Sequence, residues 1–333
     1  MNATKIKGSS LLRLGLYCIL LLTGCSKQIE FTGDETESMI VLIAAPEADS
    51  LVSVRLTYSR FFLSQEPFRT IDGASLQTEV NGQPSGATFM QDSNQTYRSD
   101  LALREGDTLT LVVRSPDGKS ATAGCRMPVR PAVENLTMES EVLLNPTYYG
   151  YGTLFFSQDI DFSLVLDDPA GKSNYYMVQA YVVDSATGER RDCNVSIDDN
   201  LLFEGNETEE VFDLGMSVDY SYGEKVLFTD DRIDGQRHTV RGTIINAYGE
   251  ESANIHVVVS TLSRDTYLYW VTLRAQQETG GEMGLFSEPV QIHTNVQGGI
   301  GILGAMSPRV LTLCHISIPE RETEDPAKVA KKQ

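Results

Sequence analysis

Residues 107–127 read DTLTLVVRSPDGKSATAGCRM, and this stretch decides the fold class. Its two halves, 107–114 and 119–127, have the composition and alternation of half-buried β-strands. Between them, Ser115-Pro116-Asp117-Gly118 carries the residues that favour a tight turn. The stretch therefore predicts a strand, a turn and a second strand, that is, a β-hairpin.

Strand-like runs of the same kind occur on both sides of this hairpin. An Asn81-Gly82 pair after one of them is a further hairpin signal. Such strands at intervals of about ten residues are typical of β-sandwiches. We therefore predict an all-β protein built of two β-sandwich-like, Ig-like domains. The other runs are residues 39–45, 51–58, 74–80, 159–168, 174–184, 237–246, 254–262 and 309–318.

The length of 333 residues also favours two domains. Two prolines in Pro128-Val129-Arg130-Pro131 favour extended chain and a boundary. We predict an N-terminal β-sandwich-like domain at 39–127, a linker at 128–134 and a C-terminal β-rich domain at 135–318. Within the last, residues 199–224 are predicted to form a long irregular loop.

One segment departs from the strand pattern. In residues 263–279, Tyr267, Trp270, Val271 and Arg274 are spaced three and four apart, with Ser263 as a candidate N-cap. This spacing predicts a single late α-helix near 264–278. We expect its aromatic stripe to pack against the core rather than form a ligand platform.

The charge balance excludes some functions. There are 27 Lys and Arg against 46 Asp and Glu, a formal net charge of −19. Because nucleic-acid binding needs a basic face, this acidity argues against nucleic acid as a partner. The hydrophobic fraction of 41% excludes a wholly disordered chain.

The N-terminus has the features of a lipoprotein signal peptide in residues 1–24. Three basic residues precede the apolar run 14–22, which is too short to span a membrane. The segment ends in Leu22-Thr23-Gly24-Cys25, which resembles a bacterial lipobox cleaved between Gly24 and Cys25. Cys25 would then be acylated and become the mature N-terminus. Removing residues 1–24, which hold three basic and no acidic residues, changes the net charge from −19 to −22.

The two ends of the mature chain are polar. Residues 25–38 are predicted to form an acidic tether, and residues 319–333 a disordered tail. Cys125, Cys193 and Cys314 remain after processing, and because three is an odd number at least one thiol is unpaired. We interpret them as buried small hydrophobes, without predicting which pair, if any, is bonded.

Several matches to catalytic and binding motifs lack neighbouring residues or elements that the motif requires. Residues 299–304 match G-x-G-x-x-G, but Pro308 and a strand-like run follow where a nucleotide-binding helix would have to begin. We therefore interpret these glycines as a turn or close backbone packing. The four His residues form no metal-ligand motif, and there is no G-x-S-x-G elbow. No catalytic residues and no cofactor are predicted.

Two stretches remain as candidate sites. Residues 230–235 are similar to a calcium loop, but Arg232 and Arg241 occupy its third and twelfth positions. A solvated acidic turn is therefore favoured, with Asp230, Asp231 and Asp234 kept as candidate metal ligands. Residues 145–152 place three tyrosines among Gly and Pro, which suits either protein or sugar contacts or a hairpin covering its own core. These tyrosines are Tyr148, Tyr149 and Tyr151.

A series of short motifs is spread in order over most of the mature chain. They are Cys25 with Lys27 and Glu30, residues 71–74, Tyr97 with 103–108, residues 228–235, the helix with Tyr267, Tyr269 and Trp270, and finally residues 286–290, Asn295-Val296 and 298–301. In this order they resemble the Bacteroidota lipoproteins of the domain-of-unknown-function 4249 family. The resemblance implies an outer-membrane lipoprotein, often encoded beside a TonB-dependent receptor, and implies no catalytic residues.

These observations lead us to expect a non-enzymatic binding or accessory protein, anchored by Cys25 in the outer membrane and working with a TonB-dependent receptor in nutrient capture or uptake. Exposure at the cell surface is favoured over a periplasmic orientation, although Ser26-Lys27-Gln28-Ile29-Glu30 is a poor export signal. Two alternatives stay open. One is a surface hydrolase of glycans or peptides that uses carboxylates, and the other is a structural envelope protein.

Overall fold

Strands make up most of the computed structural model. The described residues are 37–61, 64, 66–139, 147–149, 153–203, 219–250, 252–279 and 290–317. Of these, only the backbone is described at 147–149, 153–158, 248–250, 279 and 317. In chain order the elements of these residues are β1 (Ile40–Ala44), β2 (Leu51–Tyr58), β3 (Ser75–Val80), β4 (Gln83–Pro84), β5 (Phe89–Gln91), β6 (Thr96–Ala102), β7 (Thr108–Arg114), β8 (Ser120–Arg126), β9 (Ala132–Met138), β10 (Thr147–Tyr149), β11 (Thr153–Asp167), β12 (Tyr175–Asp184), β13 (Arg190–Ile197), α1 (Asn200–Phe203), β14 (Tyr222–Gly223), β15 (Val226–Thr229), β16 (Arg237–Glu250), β17 (Ser252–Leu262), α2 (Arg264–Thr279), β18 (Gly299–Leu303) and β19 (Met306–Ser317). The predicted all-β fold class is confirmed.

The predicted hairpin of residues 107–127 is present as β7 and β8. The two strands pair from Thr108 with Arg126 to Arg114 with Ser120. Their turn is closed by the Ser115 amide, which donates to the Lys119 carbonyl at 2.9 Å. Gly118 has a φ of 88°, a conformation that glycine adopts at little cost. Local sequence therefore determines this element.

Two sheets pack face to face in the N-terminal part of the fold. One has the strand order β18-β1-β2-β6-β5 and the other β4-β3-β7-β8. Along β2 every second residue is buried, as expected for a strand with one face on a core. The largest fully buried side chains between the sheets are those of Ile40, Leu42, Leu56, Ile71, Leu103, Leu109 and Leu111.

A larger antiparallel sheet forms the C-terminal part. Its main path is β10-β11-β16-β13-β12-β17-β19, while β9, β14 and β15 pair at its sides. The sheet is nearly closed. Side chains from strands far apart on the path, such as Phe162, Val195 and Ile255, therefore join in one buried cluster.

The predicted helix is confirmed as α2. The Ser263 hydroxyl caps it by accepting the Thr266 amide at 3.3 Å. Tyr267 and Val271 are buried against Tyr175 and Met177 of β12, on the face of the sheet opposite the main core. The aromatic stripe therefore packs against the fold, as expected.

Within the glycine-rich residues 298–304, Gly299–Leu303 form strand β18. It pairs in parallel with β1, from Ile40 with Gly299 to Ala44 with Leu303. A Cβ at Gly299 would lie 2.5 Å from the Ile40 carbonyl oxygen, and one at Gly301 would overlap the Leu42 carbonyl oxygen. Close backbone packing is thus the reason for the glycines. Strand β19 follows them, so the helix that a dinucleotide site requires is replaced by a strand.

Some features differ from the sequence-based expectation. Residues 199–224 are not wholly irregular, because α1 and β14 lie within them. Strand β9 begins at Ala132, inside the predicted linker 128–134, and pairs with β11. The division of the chain into domains at 39–127 and 135–318 stays a prediction. In the structure, β18 belongs to the N-terminal sheet. None of the described helices is long and apolar enough to cross a bilayer.

Several predictions lie outside the described residues. These are the signal peptide at 1–24, the lipidation site at Cys25, almost all of the tether at 25–38 and the tail at 319–333.

We predict that Gly301→Ala prevents cooperative folding or lowers the free energy of unfolding by at least about 4 kcal/mol. Gly301 has a φ of 112°, and the added methyl group would overlap the Leu42 carbonyl. Gly124→Ala is the matched control, because its Cβ would meet the Leu109 carbonyl oxygen at an ordinary 3.5 Å. Urea unfolding followed by circular dichroism measures both. Equal effects of the two substitutions would contradict the role given to the β1–β18 contact.

Candidate functional site

Three carboxylates meet where the end of β11 approaches the turn between β15 and β16. Asp168 follows β11 directly, Asp230 follows β15, and Asp234 lies in the turn before β16. One oxygen from each lies within 4.8 Å of one oxygen from each of the others. We call these three residues the aspartate cluster.

The carboxylate of Asp168 accepts two well-placed donors. The Tyr176 hydroxyl donates to Oδ1 at 2.5 Å, and the Gly235 amide donates to Oδ2 at 3.0 Å. The side-chain amide of Asn174 adds a longer bond to Oδ1 at 3.2 Å. Asp168 therefore ties the start of β12 to the turn before β16.

The other two carboxylates are bound in the same manner. Asp230 Oδ2 accepts the backbone amide of Asn174 at 2.8 Å and its side-chain amide at 3.0 Å. Asp234 Oδ1 accepts the Gly171 amide at 2.7 Å. Each bond joins the 168–174 segment to the 230–235 turn. The aspartate cluster thus holds two distant turns together.

The 230–235 turn is itself anchored in the core. Ile233 is fully buried, and its amide donates to the Asp230 carbonyl at 2.7 Å. Gly235 has a φ of 70°, and a Cβ there would come within 2.7 Å of the Ala170 Cβ. The two turns are therefore in close contact, which keeps the three carboxylates near one another.

Burial disfavours the charged form of the carboxylates in the aspartate cluster. Asp230 is 2% exposed and Asp168 is 4% exposed, while Asp234 is exposed. Burial, with a smaller contribution from the charge of Asp168, raises the pKa of Asp230 to about 6, against the opposing hydrogen bonds from Asn174. Burial and the bond to Asp168 also raise the pKa of the Tyr176 hydroxyl, which stays protonated as a donor.

These oxygens are of the type that binds calcium or magnesium, so Asp168, Asp230 and Asp234 are the residues that would hold such a cation. The same carboxylates are engaged by internal donors from Asn174, Tyr176 and backbone amides. These hydrogen bonds connect the two turns directly. What it offers chemically is a carboxyl group that takes up a proton near pH 6.

The structure brings together two of the three acids named from the sequence. Asp230 and Asp234 belong to the cluster, whereas the exposed Asp231 accepts the Thr229 hydroxyl at 2.6 Å. The third member, Asp168, is missed by sequence reasoning. Its only signal is the turn composition of residues 167–171, and the long-range pairing of β11 with β16 brings it to the others.

The tyrosine stretch is described in part. Tyr148 and Tyr149 lie in β10, which pairs antiparallel with β11, so this part of the backbone forms a hairpin. Their side chains and all of Tyr151 lie outside the described residues. The contact surface assigned to these tyrosines stays a prediction.

The described thiols are not joined to one another, and the described imidazoles have separate hydrogen-bond or ring partners. Cys125, Cys193 and Cys314 form no disulfide. Burial, with a smaller effect of Asp265, raises the pKa of Cys125 to about 12, so this thiol is not an activated nucleophile. Each His of the described residues has a different neighbour: His238 bonds Asp199, His293 bonds Asp265, His256 stacks on Tyr181, and His315 bonds Asn254.

The amino-acid sequence matches the model of one protein family. A family model described as "Domain of unknown function (DUF4249)" matches residues 26–311. The chain belongs to the DUF4249 family. No match is found among curated proteins. Among solved structures, the DUF4249 chain is similar to "Biofilm associated protein - BSP domain", at 7% identity over 87% of this chain and 62% of that chain. The TM-score is 0.15, so this likeness supports no argument, and the chain spans 62% of the length of that structure.

The last of the DUF4249-like motifs has a structural role in this chain. The Asn295 side-chain amide donates to the Gly124 carbonyl at 3.1 Å and to the Leu303 carbonyl at 2.9 Å. Its oxygen accepts the Leu303 amide at 3.0 Å. Asn295 thus fixes β18 beside β8, next to the glycines that pack on β1.

We predict that Asp230→Asn removes a pH dependence of stability. With a pKa of about 6 when folded and 3.8 as its ordinary value, Asp230 binds more protons in the native chain between these values. The free energy of unfolding therefore falls as the pH rises from about 4 to about 6, by on the order of 2–3 kcal/mol. An amide at this position still accepts from Asn174 and carries no charge. The variant should lack this decline and be at least as stable as the wild type at pH 7.5.

The control is Asp231→Asn, which alters an exposed neighbour and should keep the decline. Urea unfolding at several pH values between 4 and 8 measures all three proteins. A variant Asp230→Asn that is less stable than the wild type at pH 7.5 would contradict the conclusion that the buried charge of Asp230 destabilises the folded chain. Repeating the measurement with calcium and with a chelator would then show whether a cation balances the charge.

Proposed function

We propose that this DUF4249 chain is a lipid-anchored binding protein of the outer membrane that assists a TonB-dependent receptor. The observation that carries the proposal is the lipobox-like Leu22-Thr23-Gly24-Cys25 at the end of a short apolar run. Acylation of Cys25 with several chains would exceed what stable anchoring needs. In this proposal the chain belongs to a Bacteroidota cell envelope and faces the cell surface.

The distance between anchor and fold supports a tethered binding role. Ser38, at the start of the described fold, is thirteen residues after Cys25. Thirteen residues reach at most about 45 Å when fully extended. Such a tether lets the sheets present their loops to a neighbouring membrane protein while the lipid keeps the chain nearby, which raises the effective concentration of a weak partner.

The β10–β11 hairpin is the contact surface we propose for the partner or its ligand. It carries Tyr148 and Tyr149, followed by Tyr151. Tyrosine combines a large apolar ring with a hydroxyl group and few rotatable bonds, and for this reason it is common at interfaces.

The alternative of a carboxylate hydrolase draws support from one observation, the raised pKa of Asp230, which suits a general acid. Asp230 and Asp168 are both almost fully buried, and their oxygens are bonded to Asn174, Tyr176 and Gly235. A substrate would reach them only if the two turns separated. Binding is therefore the function that the geometry favours.

We predict that Cys25→Ala abolishes lipid attachment and releases the protein from the membrane fraction. The sulfur of Cys25 is the acylated atom, so alanine leaves no site for the acyl chain. Metabolic labelling with an alkyne fatty acid, followed by fractionation, measures attachment. Cys18→Ala is the matched control, since Cys18 lies inside the removed apolar run. Labelling that survives in Cys25→Ala would overturn the anchoring step.

We also predict that the hairpin tyrosines are needed for partner capture. The lipidated wild type, purified from outer membranes after crosslinking, should retain a receptor. Replacement of Tyr148, Tyr149 and Tyr151 by Ser should lower the amount of receptor recovered about tenfold or more. Tyr222→Ser is the control, because Tyr222 is 44% exposed at another position. Equal recovery would exclude the hairpin as the contact. Absence of any partner, together with turnover of a glycan or peptide, would favour the hydrolase.

A further inference from the structure

The tether joins the fold at one end of the N-terminal sandwich. Strand β1 begins at Ile40, which pairs with Tyr58 at the end of β2. Just before β1, the Lys119 ammonium group donates to the carbonyl and hydroxyl oxygens of Ser38. The loop after β2 and the turn between β7 and β8 lie at the same end, since the Tyr58 hydroxyl donates to Asp117 at 2.7 Å. The position from which the chain leads back to Cys25 is therefore fixed.

Among the described residues at this end, two large apolar side chains are exposed. Phe68 is 60% exposed and Met39 is 41% exposed. Met39 is held in place by two hydrogen bonds with Ser59, each 2.8 Å long. The loop sequence between Arg60 and Arg69, FFLSQEPF, is itself rich in aromatic and apolar residues.

The cations at this end lie over aromatic rings, and one of these rings is the exposed Phe68. The Arg60 guanidinium lies 4.5 Å from the centre of the Phe68 ring. The Arg69 guanidinium and the Lys119 ammonium group lie 4.4 Å and 5.7 Å from the centre of the Tyr58 ring. We call Met39, Arg60, Phe68, Arg69 and Lys119 the tether-end patch.

The charge at this end differs from that of the chain as a whole. The tether-end patch itself contains three cations and no acid, while Asp117 lies near Lys119 and the Glu66 carbonyl accepts a hydrogen bond from Arg60. The carboxylate of Asp117 is engaged by the hydroxyl groups of Tyr58 and Ser115. The full chain carries a net charge of −19. An anionic lipid surface would therefore repel most of the protein and accept this end.

We propose that the tether-end patch docks on the phospholipid surface that holds the anchor, with the Phe68 ring in the interfacial layer and Arg60 and Arg69 at the phosphates. This inference rests on the proposed lipid attachment of Cys25. An aromatic ring flanked by arginines is the combination found at membrane interfaces, where the ring enters the apolar boundary and the cations stay with the head groups.

The tether explains why so small a patch is sufficient. One exposed ring and a few cations bind a bilayer weakly when the protein is free in solution. A thirteen-residue tether holds the patch at an effective concentration on the order of millimolar or more. Weak contacts then select an orientation without having to supply the attachment. The lipid surface is favoured over a protein partner because the patch is next to the residue from which the tether departs.

A depth measurement with a single tryptophan tests the proposal. Trp270 is the only tryptophan, so Phe68→Trp in a Trp270→Phe background reports on one position. The matched control is Leu51→Trp in the same background. Leu51 is 64% exposed and lies at the other end of β2, about 23 Å from Tyr58 by strand geometry. Both lipidated proteins are reconstituted in vesicles of phosphatidylethanolamine and phosphatidylglycerol whose acyl chains are brominated near the head group.

We expect bromine to quench the Phe68→Trp fluorescence at least about twofold and to leave Leu51→Trp nearly unchanged. Replacing Arg60 and Arg69 by Glu in the reporter should reduce the quenching. Equal quenching of the two positions, or no quenching of Phe68→Trp, would overturn the proposal. The proposal would also fail if the Phe68→Trp emission shifted only after a receptor was added and without quenching by bromine. Flotation of both proteins with the vesicles reports the anchor separately, so failure of lipidation is distinguished from failure of docking.

Discussion

The parallel contact between β1 and β18 is the constraint on which the rest of the fold depends. It is possible only because Gly299 and Gly301 lack a Cβ where the carbonyl oxygens of Ile40 and Leu42 approach. After this contact the Gly304 amide donates to the Ala44 carbonyl at 2.8 Å, and the chain enters β19, the partner of β17. One continuous segment is therefore shared by the N-terminal sandwich and the large sheet. A side chain at the contact would disturb both cores at once.

Polar side chains around this crossing add hydrogen bonds between the two parts of the fold. Arg130, in the segment expected to be a linker, donates to Asp49 at 2.7 Å, to Glu105 at 2.9 Å and to the Pro308 carbonyl at 3.2 Å. The Thr266 hydroxyl of α2 donates to the Ala305 carbonyl at 3.1 Å and accepts the Ala305 amide at 2.8 Å. Because bonds from both sides converge on residues 303–308, an orientation imposed on the sandwich is passed to the large sheet.

Sequence reasoning succeeds where the determinants are local. Residues 107–127 form the expected hairpin, and the Asn81-Gly82 turn has positive φ at both residues. The capping by Ser263 begins α2 where the spacing predicts it. The features that were missed depend on partners distant in sequence. Nothing near residue 299 indicates a strand beside residue 40, and nothing near Asp168 indicates Asp230, because a strand register is set by the whole sheet. The assembled aspartate cluster was for this reason only partly predictable.

The distribution of acidic groups links the anchor to the proposed function. Where Asp168 and Asp230 are buried, the cost of like charges is limited by internal donors and by a raised pKa at Asp230. On the outside, net acidity repels an anionic bilayer over a Debye length of about 8 Å. If Cys25 is anchored as proposed, thirteen residues would reach several times farther, about 45 Å, so repulsion alone would leave the protein attached but unoriented. In the proposed docking, the cations of the tether-end patch and the exposed ring of Phe68 would remove this freedom. Because hydrogen bonds join the sandwich to the large sheet, the proposed docking would also determine which loops face a neighbouring receptor.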